Sequence, residues 1–193
     1  MFENLSKYEI ILASNSPRRK DLLTRLGLDF KVFTLWGIDE SYPPELDNES
    51  IALHIASNKA AAYQSIITDN KLVITADTIV CTSDKVLGKP HDADEAREML
   101  KQLSGREHTV ITAVAVSTKE KVVKEAVSTK VVFAELTAEE IEYYIKNYLP
   151  FDKAGGYGIQ EWIGLIAVEK IQGSFFNVIG LPVQRLYRIL QTF

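Results

Sequence analysis

The sequence predicts an α/β fold built on a mixed sheet, and three observations carry that expectation. In the first half of the chain, short apolar runs that read as strands alternate with stretches at helical spacing. Leu72 to Cys81 is apolar on both faces, as a central strand buried on both sides requires. Two β-rich runs, His108 to Val116 and Val122 to Phe133, flank Ser117-Thr118-Lys119-Glu120-Lys121, the pattern of an antiparallel hairpin.

In chain order, Tyr8 to Leu12 reads as the first strand and Phe30 to Phe33 as the second. Between them Pro17 to Leu26 reads as a helix, with Ser16 as N-cap, Pro17 at the first helical position and Gly27 as the stop. Ile51 to Ile66 is helical by the spacing of Ile51, Ile55, Ala62 and Ile66, and it leads into the buried strand at Leu72. Asp92-x-x-Glu95 is a capping box opening a helix with Ala96, Met99, Leu100 and Leu103 on one face, closed by Gly105. After the hairpin, Thr137-x-x-Glu140 opens a second such helix, carrying Ile141, Tyr144, Ile145 and Tyr148 before Pro150. A glycine-rich loop, Ala154 to Gly158, precedes a strand expected at Leu165 to Ile171. Pro182 starts a last helix with Val183, Leu186, Ile189 and Leu190 on one face.

Composition narrows the function. Over 193 residues, 22 Lys and Arg face 26 Asp and Glu, a net charge of −4. Coating nucleic acid or an anionic membrane needs a surplus of cations, so neither partner is expected. Cys81 is the only cysteine, which excludes an internal disulfide and any CxxC motif and suits a reducing cytosol. The start of the sequence lacks a basic then apolar leader, and no apolar run approaches the roughly 18 residues of a membrane span. With no repeat and no linker, residues 1–193 are expected to form one domain in the cytoplasm.

Four segments carry candidate chemistry. In Ala13-Ser14-Asn15-Ser16-Pro17-Arg18-Arg19-Lys20 a helix begins with three cations. That sign opposes the helix dipole, which favours negative charge there by about 0.3–1 kcal/mol per group. The arrangement suits a docked phosphate that receives backbone N–H groups, the Ser14 and Ser16 hydroxyls and the Arg18 and Arg19 guanidinium forks. A solvated basic turn is the plainer alternative. In Ile74-Thr75-Ala76-Asp77-Thr78-Ile79-Val80 a carboxylate interrupts an apolar strand, where it must neutralise, pair or bind a metal. A structural ion pair or an early strand end explains it equally.

Lys59 falls within the apolar arc of its helix, where a snorkelling stem is the usual explanation, and Gly88-Lys89-Pro90 follows the Asp77 strand. In Asp152-Lys153-Ala154-Gly155-Gly156-Tyr157-Gly158-Ile159-Gln160, the glycines permit close backbone approach to a ligand. Tyr157 is placed to stack on a planar group, and the Gln160 amide matches the donor and acceptor of a uracil or thymine imide edge. A ligand-free surface loop has the same composition. Glu40 is a candidate second carboxylate for a hard divalent cation, or simply part of an acidic loop.

Taken in order, Ala13-Ser14-x-Ser16-Pro17-Arg18-Arg19, Asp39-Glu40, Asn58-Lys59-Ala60, Ala76-Asp77-Thr78, Gly88-Lys89-Pro90 and Asp152-Lys153-Ala154-Gly155-x-Tyr157-Gly158-Ile159-Gln160 closely resemble the Maf family of nucleoside triphosphate pyrophosphatases. The resemblance implies an elongated, two-lobed, inosine-triphosphatase-like fold with the active cleft between the lobes. It also implies hydrolysis of a nucleoside triphosphate to monophosphate and pyrophosphate with a divalent cation, Mg2+ or else Mn2+ or Co2+. The Gly-Tyr-Gly-Ile-Gln loop resembles the subgroup acting on dTTP and UTP, rather than the sister subgroup acting on 7-methyl-GTP. On that carry-over Asp77 is the proton acceptor, and Arg18, Thr78 and Gln160 are specificity positions. Ser14, Ser16, Arg19, Lys59 and Lys89 would handle phosphate, with Asp77 and Glu40 at the metal. A homodimer is implied as well. Two positions depart from the family pattern: Glu161 stands where glycine commonly follows the glutamine, and Asn15 where a small residue is usual. The absence of Gly-x-x-x-x-Gly-Lys-Ser/Thr and Gly-x-Gly-x-x-Gly after the first strand argues against a P-loop enzyme or a dehydrogenase. A nucleotide-binding regulator of cell division, named for septum formation in this family, is the competing expectation.

Overall fold

The structure, a computed structural model, describes residues 2–193. The elements follow in order as β1 (Glu9–Leu12), α1 (Pro17–Arg25), β2 (Lys31–Val32), α2 (Asn48–Ala62), β3 (Lys71–Cys81), β4 (Val86–Leu87) and α3 (Ala93–Leu103). Then come β5 (Glu107–Ser117), β6 (Val122–Phe133), α4 (Ala138–Tyr148), α5 (Trp162–Ala167), β7 (Val168–Gln172), α6 (Phe175–Ile179) and α7 (Val183–Leu190). The strands form one mixed sheet in the order β2-β1-β3-β5-β6-β7, with β4 on β3. β1 pairs in parallel with β2 and β3, while β4 on β3 and β7 on β6 are antiparallel. No helix among the described residues is long and apolar enough to cross a membrane.

The chain divides into two compact units. The first takes the chain up to Asp77 together with Thr112–Val127 and Gly180–Phe193. Its buried apolar residues include Ile10, Ile11 and Leu12 of β1, Leu22 and Leu23 of α1, and Ile51, Ala52, Ile55, Ala56 and Ala60 of α2. Capping is as the sequence dictates at α1, where the Ser16 hydroxyl accepts from the Arg19 N–H and Pro17 sits at the first turn. Helix α2 starts earlier than its apolar spacing indicated, because Asp47 accepts from the Ser50 N–H at 2.7 Å and fixes the N-terminus there. It ends at Ala62, and Ile66 belongs to a separate 3-10 turn. The Tyr63 hydroxyl accepts from the Leu35 N–H (2.9 Å) and donates to the Phe33 carbonyl (3.1 Å), which pins the loop leading to Glu40.

The second unit takes Thr78–Ile111 and Ser128–Ile179. Its core joins Ala96, Leu100 and Leu103 of α3, Val131 and Phe133 of β6, Ile141, Tyr144 and Ile145 of α4, and Ile163 of α5. The Thr137–Glu140 capping box has both arms. At α3 only one arm matches: Asp92 accepts from the Glu95 N–H, but the Glu95 carboxylate receives the His91 N–H, one residue further out. The strand expected from Leu165 is a correction. Residues 162–167 are helical because Ile163 and Ala167, four apart, are the pair that buries, leaving Leu165 82% exposed; β7 begins only at Val168.

Candidate active site

In the first unit, strand and helix periodicities bring Lys59 to Asp77. The Thr75 hydroxyl donates to the Ala56 carbonyl at 3.1 Å, tying β3 to α2. Two residues on along the strand is the same face, and three residues on along the helix is the same side one turn later. Asp77 and Lys59 stand at those positions, and Lys59 Nζ lies 2.6 Å from Asp77 Oδ1. The same ammonium is 2.8 Å from Glu40 Oε1. The Lys59 and Asp77 side chains are 15% and 12% exposed, while Glu40 is 55% exposed. The lysine stem therefore runs through the apolar face as expected, but its head meets two carboxylates instead of water. Asp77 is accounted for by pairing, and the trio carries a net charge of −1.

The N-terminus of α1 is built onto the same strand end. Ser14 is buried, and its hydroxyl accepts from the Ser16 N–H (3.2 Å) and from Arg19 Nη1 (3.4 Å). Arg19 Nη1 also donates to the Ala76 carbonyl and Nε to the Gly180 carbonyl, each at 2.8 Å. Burial lowers the Arg19 pKa, a shift opposed first by the Asp77 carboxylate, and a guanidinium remains charged throughout the physiological range. Arg19 thus grips the residue before Asp77 and the chain entering α7. Arg18, one residue earlier in the first turn, is half-buried. This use of Arg19 as a backbone clamp carried no sequence signal, because its acceptors lie 57 and 161 residues away.

The second unit holds Thr78, Lys89 and Gln160. Thr78 follows Asp77 along β3, so strand alternation turns its side chain to the opposite face. Lys89 is exposed in the turn after β4, and that turn is zipped to the glycine loop: the Gly155 N–H donates to the Gly88 carbonyl at 2.9 Å. Gly155 has φ +68°, and a Cβ there would lie 3.0 Å from the Val80 side chain, so only glycine serves. Gln160 is exposed at the end of the loop. A Cβ on Gly158 would come within 2.8 Å of Gln160 Nε2, so the missing side chain leaves the space the amide occupies.

Tyr157 corrects an expectation. It is 5% exposed, shares a 2.8 Å hydrogen bond with His108 Nε2, and packs edge-on against Phe133 with ring centroids 4.9 Å apart. Its ring belongs to the core and is not available for stacking on a base. Tyr144, in sequence a residue of the apolar helix face, and Lys153, in sequence part of the glycine-loop motif, converge on Glu161. Tyr144 donates its hydroxyl to Glu161 Oε2, and Lys153 Nζ is 3.2 Å from Oε1.

No group of three or more His, Cys, Asp or Glu side chains able to hold a metal occurs among the described residues. Asp77 and Glu40 nevertheless direct oxygens at one point, which the Lys59 ammonium fills. Two carboxylates with phosphate oxygens and water are a sufficient donor set for Mg2+.

The profile of the family described as Maf-like protein matches residues 9–193. A dTTP/UTP pyrophosphatase of Phocaeicola vulgatus is 58% identical over 191 residues, 99% of each chain. One of Parabacteroides distasonis is 56% identical over 193 residues, the whole of both. Among solved structures, the Staphylococcus aureus Ham1 protein matches with a TM-score of 0.43 at 18% identity, over 64% of this chain and 72% of that one.

Proposed function

The chain belongs to the Maf family, and we propose that it is a nucleoside triphosphate pyrophosphatase hydrolysing dTTP and UTP to the monophosphate and pyrophosphate. The observation that carries this reading is the convergence of the Asp77 and Glu40 carboxylates on Lys59 in the unit where Arg19 grips Ala76. The names of the full-length relatives support the substrate class.

Water attacks the α-phosphorus, the bond from that phosphorus to the bridging oxygen breaks, and pyrophosphate leaves with the bonding electrons. Asp77 orients the water and accepts its proton at a carboxylate oxygen. Lys59 holds Asp77 in place and presents an ammonium to the phosphates. The Ser14 and Ser16 hydroxyls, the first turn of α1 and Arg18 receive phosphate oxygens, while Arg19 fixes the strand end that carries Asp77. Lys89 meets the departing pyrophosphate. A divalent cation held by Asp77 and Glu40 with the triphosphate would supply charge neutralisation and polarise the phosphoryl group. Gln160 reads the pyrimidine, its carbonyl accepting from the imide N–H and its amide donating to the adjacent carbonyl oxygen, with Thr78 as a further specificity position. A buried lone cysteine accords with a cytosolic setting, and a homodimer of single Maf-like chains completes the proposal.

The test is pyrophosphate release from a panel of triphosphates with Mg2+ or Mn2+. Preference for dTTP and UTP over purine nucleotides is expected. Preference for 7-methyl-GTP would move the chain to the sister subgroup, and binding without release would favour a nucleotide-dependent regulator.

A further inference from the structure

Gln160 sits at the corner of a four-residue turn, Gly158 to Glu161, closed by the Glu161 N–H donating to the Gly158 carbonyl at 2.9 Å. Ile159 anchors one corner in the core at 5% exposure, while Gln160 is exposed. Both ends of the turn are tied to one oxygen: the Tyr144 hydroxyl accepts from the Gly158 N–H at 2.9 Å and donates to Glu161 Oε2. The other carboxylate oxygen of Glu161 is held by Lys153, whose side chain is 8% exposed and whose second partner, Asp152 Oδ1, lies 2.7 Å away. Glycine at 164 lets α5 close on the turn, since a Cβ there would fall 1.8 Å from the Ile159 carbonyl oxygen. The turn bearing Gln160 is therefore clamped from α4, from the preceding loop and from α5.

We propose that Glu161 is a positioning residue for base selection: through Tyr144 and Lys153 it fixes the turn that aims the Gln160 amide, and so sets the preference for pyrimidine over purine triphosphates. This rests on Gln160 reading the base. Both Glu161 carboxylate oxygens are engaged by side chains of the second unit, one by Tyr144 and the other by Lys153. Loss of Glu161 acts on recognition and leaves the chemical step in place. A carboxylate is suited to the task because it accepts from a hydroxyl and an ammonium at once, which a glycine at this position cannot do.

The experiment compares Glu161→Ala, Tyr144→Phe, their double variant and Gln160→Ala with the wild type. Two readouts are taken: the ratio of kcat/KM for UTP and GTP, and the hydrogen-exchange rate of the Gly158 amide. In Glu161→Ala and Tyr144→Phe the ratio is expected to fall about tenfold, through a raised KM for UTP, and Gly158 to exchange about tenfold faster, the scale of one lost hydrogen bond. The double variant should be little worse than either single one, because both remove the same clamp. Glu161→Gln, which keeps an oxygen for the Tyr144 hydroxyl, should recover most of the ratio. If Gln160→Ala lowers the ratio while folded Glu161→Ala and Tyr144→Phe leave it unchanged, the positioning role is overturned. If Gln160→Ala leaves the ratio unchanged, base reading by Gln160 fails instead, and Gly158 exchange still shows whether Glu161 clamps the turn. Should Glu161→Ala not fold, Tyr144→Phe decides alone.

Discussion

His108 makes the stability of the second unit depend on pH in a direction that can be worked from its surroundings. The imidazole is 2% exposed, hydrogen-bonded to Tyr157 and edge-on to Phe133. Burial disfavours its charged form and lowers its pKa from 6.5 to about 4, against smaller opposing contributions from the Arg106 backbone and Glu107. With the folded value below the unfolded one, the unfolded chain binds the extra proton between those limits, so stability falls as pH drops through 6.5 towards 4. Weighing the two titrations, a fall from pH 7 to pH 5 removes about 2 kcal/mol, and the full effect below pH 4 is about 3 kcal/mol. The perturbation is His108→Gln, which cannot titrate. Urea unfolding of both proteins at pH 7 and pH 5 isolates the histidine from the carboxylates, whose contributions cancel in the difference. The wild type should lose about 2 kcal/mol more than the variant. Parallel losses would refute the reasoning, since they would mean that His108 is protonated as readily in the core as in water. The ring holding Tyr157 also anchors the glycine loop, so the same drop in pH is expected to loosen the segment that carries Gln160.

Other substitutions report on the remaining contacts. Lys59→Met leaves the Asp77 and Glu40 carboxylates facing each other without their shared ammonium; kcat/KM should fall about a hundredfold in steady-state assays and stability by about 2 kcal/mol in urea titrations. Gly155→Ala forces a side chain into φ +68° and against Val80, and should lower stability by about 1–3 kcal/mol, read as a drop in Tm. Arg19→Lys keeps the charge but cannot reach Ala76, Gly180 and Ser14 together, so it should lower kcat about tenfold while folding is retained by circular dichroism.

Features governed by local chemistry were legible in the sequence. Ser16 and Thr137 cap their helices as their hydroxyls dictate, β3 is buried as its apolar run, broken by a charge only at Asp77, requires, and Lys59 lies in the arc its helical position assigns. Features decided by long-range partners carried no local signal. The strand expected at Leu165 to Ile171 starts only at Val168, because the burial of Ile163 and Ala167 against the core makes Trp162–Ala167 a helix, and the short helix α6 beyond β7 gave no periodic signal. Tyr157 followed two glycines and suggested a ligand contact, but His108, 49 residues away, takes its hydroxyl into the core. Arg19 was legible as a cation and not as a clamp on Ala76. Glu161 was legible only as a departure from the family pattern; its meaning comes from Tyr144 and Lys153, which no local rule connects to it.

The central claim is that Asp77 accepts a proton in hydrolysis of pyrimidine triphosphates, and Asp77→Asn tests it most directly. Asparagine keeps the shape and an oxygen for Lys59 but cannot take the proton. Pyrophosphate release from dTTP and UTP by the folded variant should fall by a factor of about 10² to 10⁴. Turnover near the wild-type rate would contradict the account.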